Sequence, residues 1–214
     1  TMSASATAVL MCNAVPRFSD ITNDTFCLDP EKLERSITRR TKAIVVVHLF
    51  GHPAPMKQIL AIARHRKLKV VEDCAQAPGA MYQGKYVGTF GDAGVFSFNQ
   101  HKTITTGEGG IVLTQSEALA LKIRLVRNHG EAVVEDMAVK DISNTLGWNY
   151  RMTELEAAVG CAQFRKLDVL TRRRQELAAV LTQELKGLPG LTLPVIQKGC
   201  THTWFVYPIR YDAS

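Results

Sequence analysis

Residues 43–73 read AIVVVHLFGHPAPMKQILAIARHRKLKVVED, and this stretch decides the fold class. Ala43 to His48 is a continuous run rich in β-branched residues, the composition of a strand buried on both faces. Gly51 breaks the run, and Pro55 stands where a helix can start. Met56, Ile59, Leu60 and Ala63 then follow at helical spacing. Lys69 to Asp73 returns to strand character. Strand, helix and strand in this order make a parallel crossover the simplest arrangement.

The same alternation extends outward in both directions and argues an α/β sheet protein. Upstream, Asp29-Pro30 reads as a helix cap and first turn before Leu33 and Ile37. Downstream, Val95 to Phe98 and Ile111 to Thr114 read as strands separated by a glycine-rich loop. Ser116 can cap a helix carrying Leu119, Ile123 and Val126 on one face. Thr153 and Glu156 form a capping-box pair, opening a long helical stretch with Leu155, Val159 and Ala162 on the stripe expected to be buried. That stretch runs, with room for a break, to Leu185, where Gly187, Pro189 and Gly190 end it; a strand-rich region begins near Leu191.

Composition narrows the function classes. No apolar run in the sequence is long enough to span a membrane, and with no charged-then-apolar stretch at its start a secretion signal is not expected. The five cysteines are widely spaced without a C-x-x-C pair, which fits reduced thiols in a cytoplasm better than disulfides or a zinc site. His48 and His52 straddle a strand end and form no H-E-x-x-H, so no metal is expected. Gly88, Gly91 and Gly94 precede a strand, which disfavours a dinucleotide fold. The net charge of +6 is distributed, not interleaved with aromatics, so nucleic acid is not the expected partner. An anionic small substrate uses such a field equally well.

In a parallel sheet, ligands collect beyond the carboxyl ends of strands. Two candidate segments stand there, Glu72-Asp73-Cys74-Ala75-Gln76 and Ser97-Phe98-Asn99-Gln100-His101-Lys102. Singly, an Asp at a strand end and a Lys in a loop are weak signals. Together they belong to a longer pattern, E-D-C-A-Q-A-P-G-A-x-Y-x-G-x-x-x-G-x-x-G-D-x-x-x-F-S-F-N-x-x-K-x-x-x-x-G-E-G-G, from Glu72 to Gly110. This closely resembles the signature of the DegT/DnrJ/EryC1/StrS sugar aminotransferases. HLFGHPA at 48–54, RNHG at 127–130 and GWNYRMTE at 147–154 fit it too, so the resemblance covers essentially the whole chain.

The resemblance implies an aspartate-aminotransferase-like large domain, its mostly parallel sheet flanked by helices, over 1–186 with the long connecting helix. The start of a small C-terminal α/β domain follows over 187–214. It implies pyridoxal 5′-phosphate as cofactor, carried by Lys102 as a Schiff base. Asp73 would lie against the pyridine nitrogen and keep it protonated, so that the ring accepts electrons. Ala75 would pack flat on one ring face, and Gln76 would hydrogen-bond the ring's 3-oxygen. Ser97 would donate its hydroxyl to the phosphate, and Asn149 would reach the phosphate of the opposite subunit, which implies a homodimer with shared sites. Arg151 is a neighbouring candidate for an anionic group, and Glu108 receives no role.

The implied activity is transfer of an amino group from a donor such as glutamate to a keto carbon of a nucleotide-linked sugar. It belongs to amino-sugar biosynthesis for cell-surface polysaccharide or antibiotic. A dehydratase branch of the family carries His in place of the lysine; here the fifth residue after Ser97 is Lys102, with His101 beside it, which favours transamination. A non-catalytic binding or assembly module is the alternative from another class, and the presence of Asp73, Gln76, Ser97 and Lys102 together argues against it. In the family a preceding segment supplies a Gly-Thr phosphate loop and a stacking residue. The 214-residue stretch is therefore expected to be a piece of a longer protein and to bind the cofactor poorly alone.

Overall fold

A computed structural model describes residues 2–131 and 145–212. In order, it forms α1 (Ala4–Met11), α2 (Pro30–Ser36), β1 (Ala43–Val47), α3 (Met56–His65), β2 (Lys69–Asp73), β3 (Met81–Tyr82), β4 (Lys85–Tyr86) and β5 (Ala93–Ser97). There follow β6 (Gly110–Leu113), α4 (Glu117–Arg127), α5 (Glu154–Phe164), α6 (Leu167–Leu185), β7 (Leu191–Thr192), β8 (Cys200–Thr201) and β9 (Arg210–Tyr211). The central sheet has the order β1-β2-β5-β6. β1, β2 and β5 are parallel, and β6 closes the edge antiparallel to β5.

The crossover forms as its spacing predicts. Ile44 and Val46 face the same side as their register partners Val70 and Glu72, and α3 covers the core with buried Met56, Ile59 and Ala63. Asp29 caps α2 by accepting the backbone N–H groups of Glu31 and Lys32, with Pro30 in the first turn. Ser116 caps α4 by accepting the N–H of Leu119. Thr153 and Glu156 complete a reciprocal capping box on α5, and the helical stretch breaks at Arg165–Lys166 before α6.

Three expectations change. β5 begins at Ala93, two residues early, and β6 at Gly110. On α4 the buried residue is Leu125, while Leu119, Ile123 and Val126 are half-buried. The α5 stripe faces outward: Leu155 is 81% exposed, and Val159 and Ala162 are exposed as well. Helical spacing fixes which residues share a face, not what covers it.

The sequence reading assigned nothing to α1, whose apolar side chains fall on all sides and leave no amphipathic period to detect. The last segment returns to the body of the fold, where β8 pairs with β3 at Met81↔Thr201 and Tyr82↔Cys200. Among the described residues no helix is long and apolar enough to cross a membrane.

Candidate active site

β2 and β5 end side by side. Asp73 is in register with Val95, and the N–H of Cys74 donates to the Val95 carbonyl at 2.8 Å. The two segments singled out in the sequence therefore leave the sheet at one edge, the carboxyl edge where α/β folds bind ligands.

Asp73 is held on both oxygens. Its Oδ1 accepts the N–H of Ala75 at 3.1 Å, and its Oδ2 accepts the hydroxyl of Ser5 at 2.6 Å. Gln76 is buried, and its Oε1 accepts the N–H of Phe50 at 2.7 Å. With that oxygen engaged, the amide NH2 of Gln76 is left as its donor group. Phe50 and Gly51 adopt positive φ (58° and 100°). A Cβ on Gly51 would meet Thr203 Oγ1 at 2.6 Å and the Trp204 nitrogen at 3.0 Å, so only glycine permits this close approach. The C-terminal segment thus lies directly against the end of β1, with the N–H of Phe205 donating to the Phe50 carbonyl at 2.8 Å.

This segment reaches Lys102. The amine of Lys102 sits 5.0 Å from the ring centroid of Phe205, close enough for a cation–π attraction to orient it. Among the described residues it has no ion pair. Around it the loop is built from short bonds. The Lys102 N–H donates to the Asn99 carbonyl at 2.9 Å, and the Asn99 N–H donates to Ser97 Oγ at 3.3 Å. Ser97 thereby keeps its own hydroxyl proton for a ligand. Asn99 Nδ2 donates to Glu108 at 2.8 Å, a role for Glu108 that the sequence reading did not find.

Asn149 is carried by a different element. It is exposed, and its segment is pinned to the end of α4, where Trp148 and Tyr150 donate to the carbonyls of Val126 and Arg127. Arg151 donates to Asn128 Oδ1 at 2.7 Å, so its guanidinium braces this junction.

Behind the open edge lies a sealed cluster. Glu72, fully buried, accepts the N–H groups of Gly88, Phe90 and Gly91, each at 2.7 Å, and pairs with His48 Nε2 at 3.0 Å. His48 Nδ1 accepts the N–H of Ala54, so the ring proton sits on Nε2 and donates to Glu72. Burial pushes the Glu72 carboxyl up, but the bonds from His48, Gly91 and Gly88 outweigh it and hold the group below its ordinary range. Burial pushes the Cys74 thiol well up, with Glu72 and Asp73 adding to it. The ligand atoms of His48, Glu72 and Cys74 lie within 4.8 Å of one another, yet both His48 nitrogens and both Glu72 oxygens are already committed to the protein. The chemistry of this trio is that of a lock for the 88–91 turn.

Fold and site together define an α/β domain whose candidate residues stand at the carboxyl edge of a mostly parallel sheet. Residues 1–214 match the model of the DegT/DnrJ/EryC1/StrS aminotransferase family, and the chain belongs to that family. It is 40% identical over 209 residues to the GDP-perosamine synthase of Escherichia coli O157:H7, covering 98% of this chain and 56% of that protein. It is also 40% identical over 219 residues to the L-glutamine:2-deoxy-scyllo-inosose aminotransferase of Micromonospora echinospora, covering 99% and 52%. Among solved structures, DesV of S. venezuelae in complex with a ketimine intermediate superposes with a TM-score of 0.91 at 38% identity, over 99% of this chain and 56% of that one. The fold is thus that of the sugar aminotransferases, and the chain spans about half the length of the relatives it matches.

Proposed function

We propose that the complete protein is a pyridoxal-phosphate-dependent aminotransferase that moves an amino group from an amino-acid donor such as glutamate to a keto carbon of a nucleotide-linked sugar. The observation that carries this reading is the gathering of Asp73, Gln76, Ser97 and Lys102 at one sheet edge of a chain in this family.

The donor set fits the cofactor group by group. Asp73 offers carboxylate lone pairs to a protonated ring nitrogen, and Gln76, its oxygen engaged by Phe50, offers N–H donors to a ring oxygen. Ala75, half-buried between them, is small enough to let a flat ring rest on it. Ser97 keeps a hydroxyl donor for a phosphate, and Lys102 offers an amine with no competing carboxylate among its described neighbours. When bound, pyridoxal phosphate supplies an electron-accepting ring that delocalises the electron pair left at the donor carbon. Lys102 would hold the cofactor covalently, and its Nζ, when free, would accept the proton from the donor's Cα. Asp73 would keep the ring nitrogen protonated.

A nucleotide-linked sugar is the acceptor favoured by the name of one relative, and the chain's positive charge suits a diphosphate. Residues 1–186 serve as the cofactor-binding body, and the second unit begins at 187, tied to the body through β8 and β3. A homodimer is part of the proposal, with exposed Asn149 reaching the phosphate in the partner's site, and so is a cytoplasmic setting.

The test uses the complete gene product loaded with pyridoxal phosphate. Borohydride reduction followed by peptide mapping is expected to mark Lys102. Lys102→Ala is expected to lower turnover by on the order of a thousandfold or more while the protein stays folded. Retained turnover and retained cofactor absorbance in that variant would sink the assignment.

A further inference from the structure

We propose that Ser5 is a positioning residue for Asp73, fixing the carboxylate that faces the cofactor's ring nitrogen; this rests on the functional reading above. Ser5 Oγ lies 2.6 Å from Asp73 Oδ2, across 68 residues of sequence. An ionised carboxylate only accepts, so Ser5 is the donor, and 2.6 Å is within the range of a charge-assisted O–H···O⁻ bond. The other oxygen takes the Ala75 N–H at 3.1 Å. With one donor on each oxygen, rotation about the Asp73 Cβ–Cγ bond breaks both contacts, so the carboxylate plane is set. Each oxygen still has a lone pair to present to the site.

The hydroxyl's choice of partner supports a specific task. Ser and Thr within helices commonly bond back to a carbonyl of their own helix. Ser36 does so to Lys32, Thr182 to Ala178, and Thr7, in the same helix as Ser5, to Ala4. Ser5 instead reaches out of α1 to the end of β2. α1 has no buried residue, so apolar packing does little to hold it there. Among the described residues, the Ser5–Asp73 bond is the side-chain hydrogen bond that ties this helix to the site edge. Aligning a lone pair on a ring nitrogen tolerates only about 0.5 Å of error, and a carboxylate held on one side alone swings further than that.

The experiment compares Ser5→Ala, Ser5→Thr and Lys102→Ala in the complete gene product. The apoprotein is titrated with pyridoxal phosphate without turnover, the absorbance of the bound cofactor is followed against pH, and kcat and KM are measured separately. Ser5→Ala is expected to weaken cofactor binding by about tenfold, the effect of losing one hydrogen bond to a charged group. It should also move the pH midpoint of the cofactor absorbance and lower kcat with KM for the acceptor unchanged. Ser5→Thr, which keeps the hydroxyl, should restore all three. Wild-type affinity and an unmoved absorbance profile in Ser5→Ala, with Lys102→Ala inactive, overturn the Ser5 assignment alone. Equal impairment of Ser5→Ala and Ser5→Thr with a lowered melting temperature also overturns it, since that is the behaviour of a structural contact. Full activity in Lys102→Ala overturns the functional reading and this proposal with it.

Discussion

Glu72 and Asp73 are consecutive carboxylates on one strand, and they live in opposite settings. Alternation along β2 turns Glu72 into the core beside Val70 and leaves Asp73 on the other face, at the strand's end. Glu72 is closed off by three backbone N–H groups and His48, so it has nothing left to offer a ligand. Asp73 has one donor on each oxygen and is half-buried, so it is oriented and still available. The difference teaches that a carboxylate whose lone pairs are exhausted serves the fold, whereas one whose lone pairs are only aimed is left able to serve a site. A third carboxylate, Asp92, extends the comparison to the other end of the strand. There it pairs with Lys69 in solvent and accepts the Val70 N–H.

Glu72→Ala is the sharpest way to break the sealed side. It strands three backbone donors and His48 Nε2 away from water, and a loss of about 3–5 kcal/mol in unfolding free energy is expected by denaturant titration. The pH dependence follows from the sign of the shift. The folded carboxyl lies below its unfolded value of 4.5, so its contribution is complete above that pH and is lost as pH falls through the folded value. The gap between wild type and Glu72→Ala should therefore narrow in acid. A gap that stays constant down to acid pH would show that the charge on Glu72 is not what holds the turn.

Asp73→Asn tests the open side. Asn keeps an oxygen for the Ala75 N–H, and Ser5, whose hydroxyl can also accept, can turn to meet the new NH2 group. Stability should move by less than about 1 kcal/mol. On the proposed function, turnover in the cofactor-loaded protein should drop by about a hundredfold, equivalent to about 2.7 kcal/mol of barrier, because a neutral amide would not hold a protonated ring nitrogen. A stability loss as large as that of Glu72→Ala would place Asp73 among the structural groups instead.

The sealed and open sides were unequally legible in the sequence. The crossover from Ala43 to Asp73 was readable because strand and helix periods switch cleanly at Gly51 and Pro55, and the caps at Asp29, Ser116 and Thr153 are local chemistry. The placement of Asp73, Gln76, Ser97 and Lys102 at strand ends followed from the same periods together with the family pattern. Contacts between distant segments were not readable. No local signal couples Ser5 to Asp73, Phe50 to Phe205 or His48 to Glu72, since each pair meets only after the sheet has assembled. The α5 stripe shows the converse limit: its spacing is plain in the sequence, but spacing alone says nothing of what lies opposite Leu155.

The smallest expected effect lies at the far end of β2. Lys69 Nζ meets Asp92 Oδ1 at 2.7 Å, a shorter separation than that between His48 and Glu72, yet the Lys69 side chain is 75% exposed. Burial acts on Asp92 by raising its carboxyl, and the bonds from Lys69 and the Val70 N–H bring it below the usual range. In solvent that attraction is offset by the entropy of holding a long side chain still, so Lys69→Ala is expected to cost about 0.2–1 kcal/mol. Asp92 keeps the Val70 N–H in the variant, so no buried group is left unpaired. The residual difference should disappear in about 1 M salt, where charges are screened within about 3 Å. Unfolding measured at low and high salt checks this. A salt-independent loss above about 2 kcal/mol would mean that distance, not burial and saturation, decides what a carboxylate contributes along this strand.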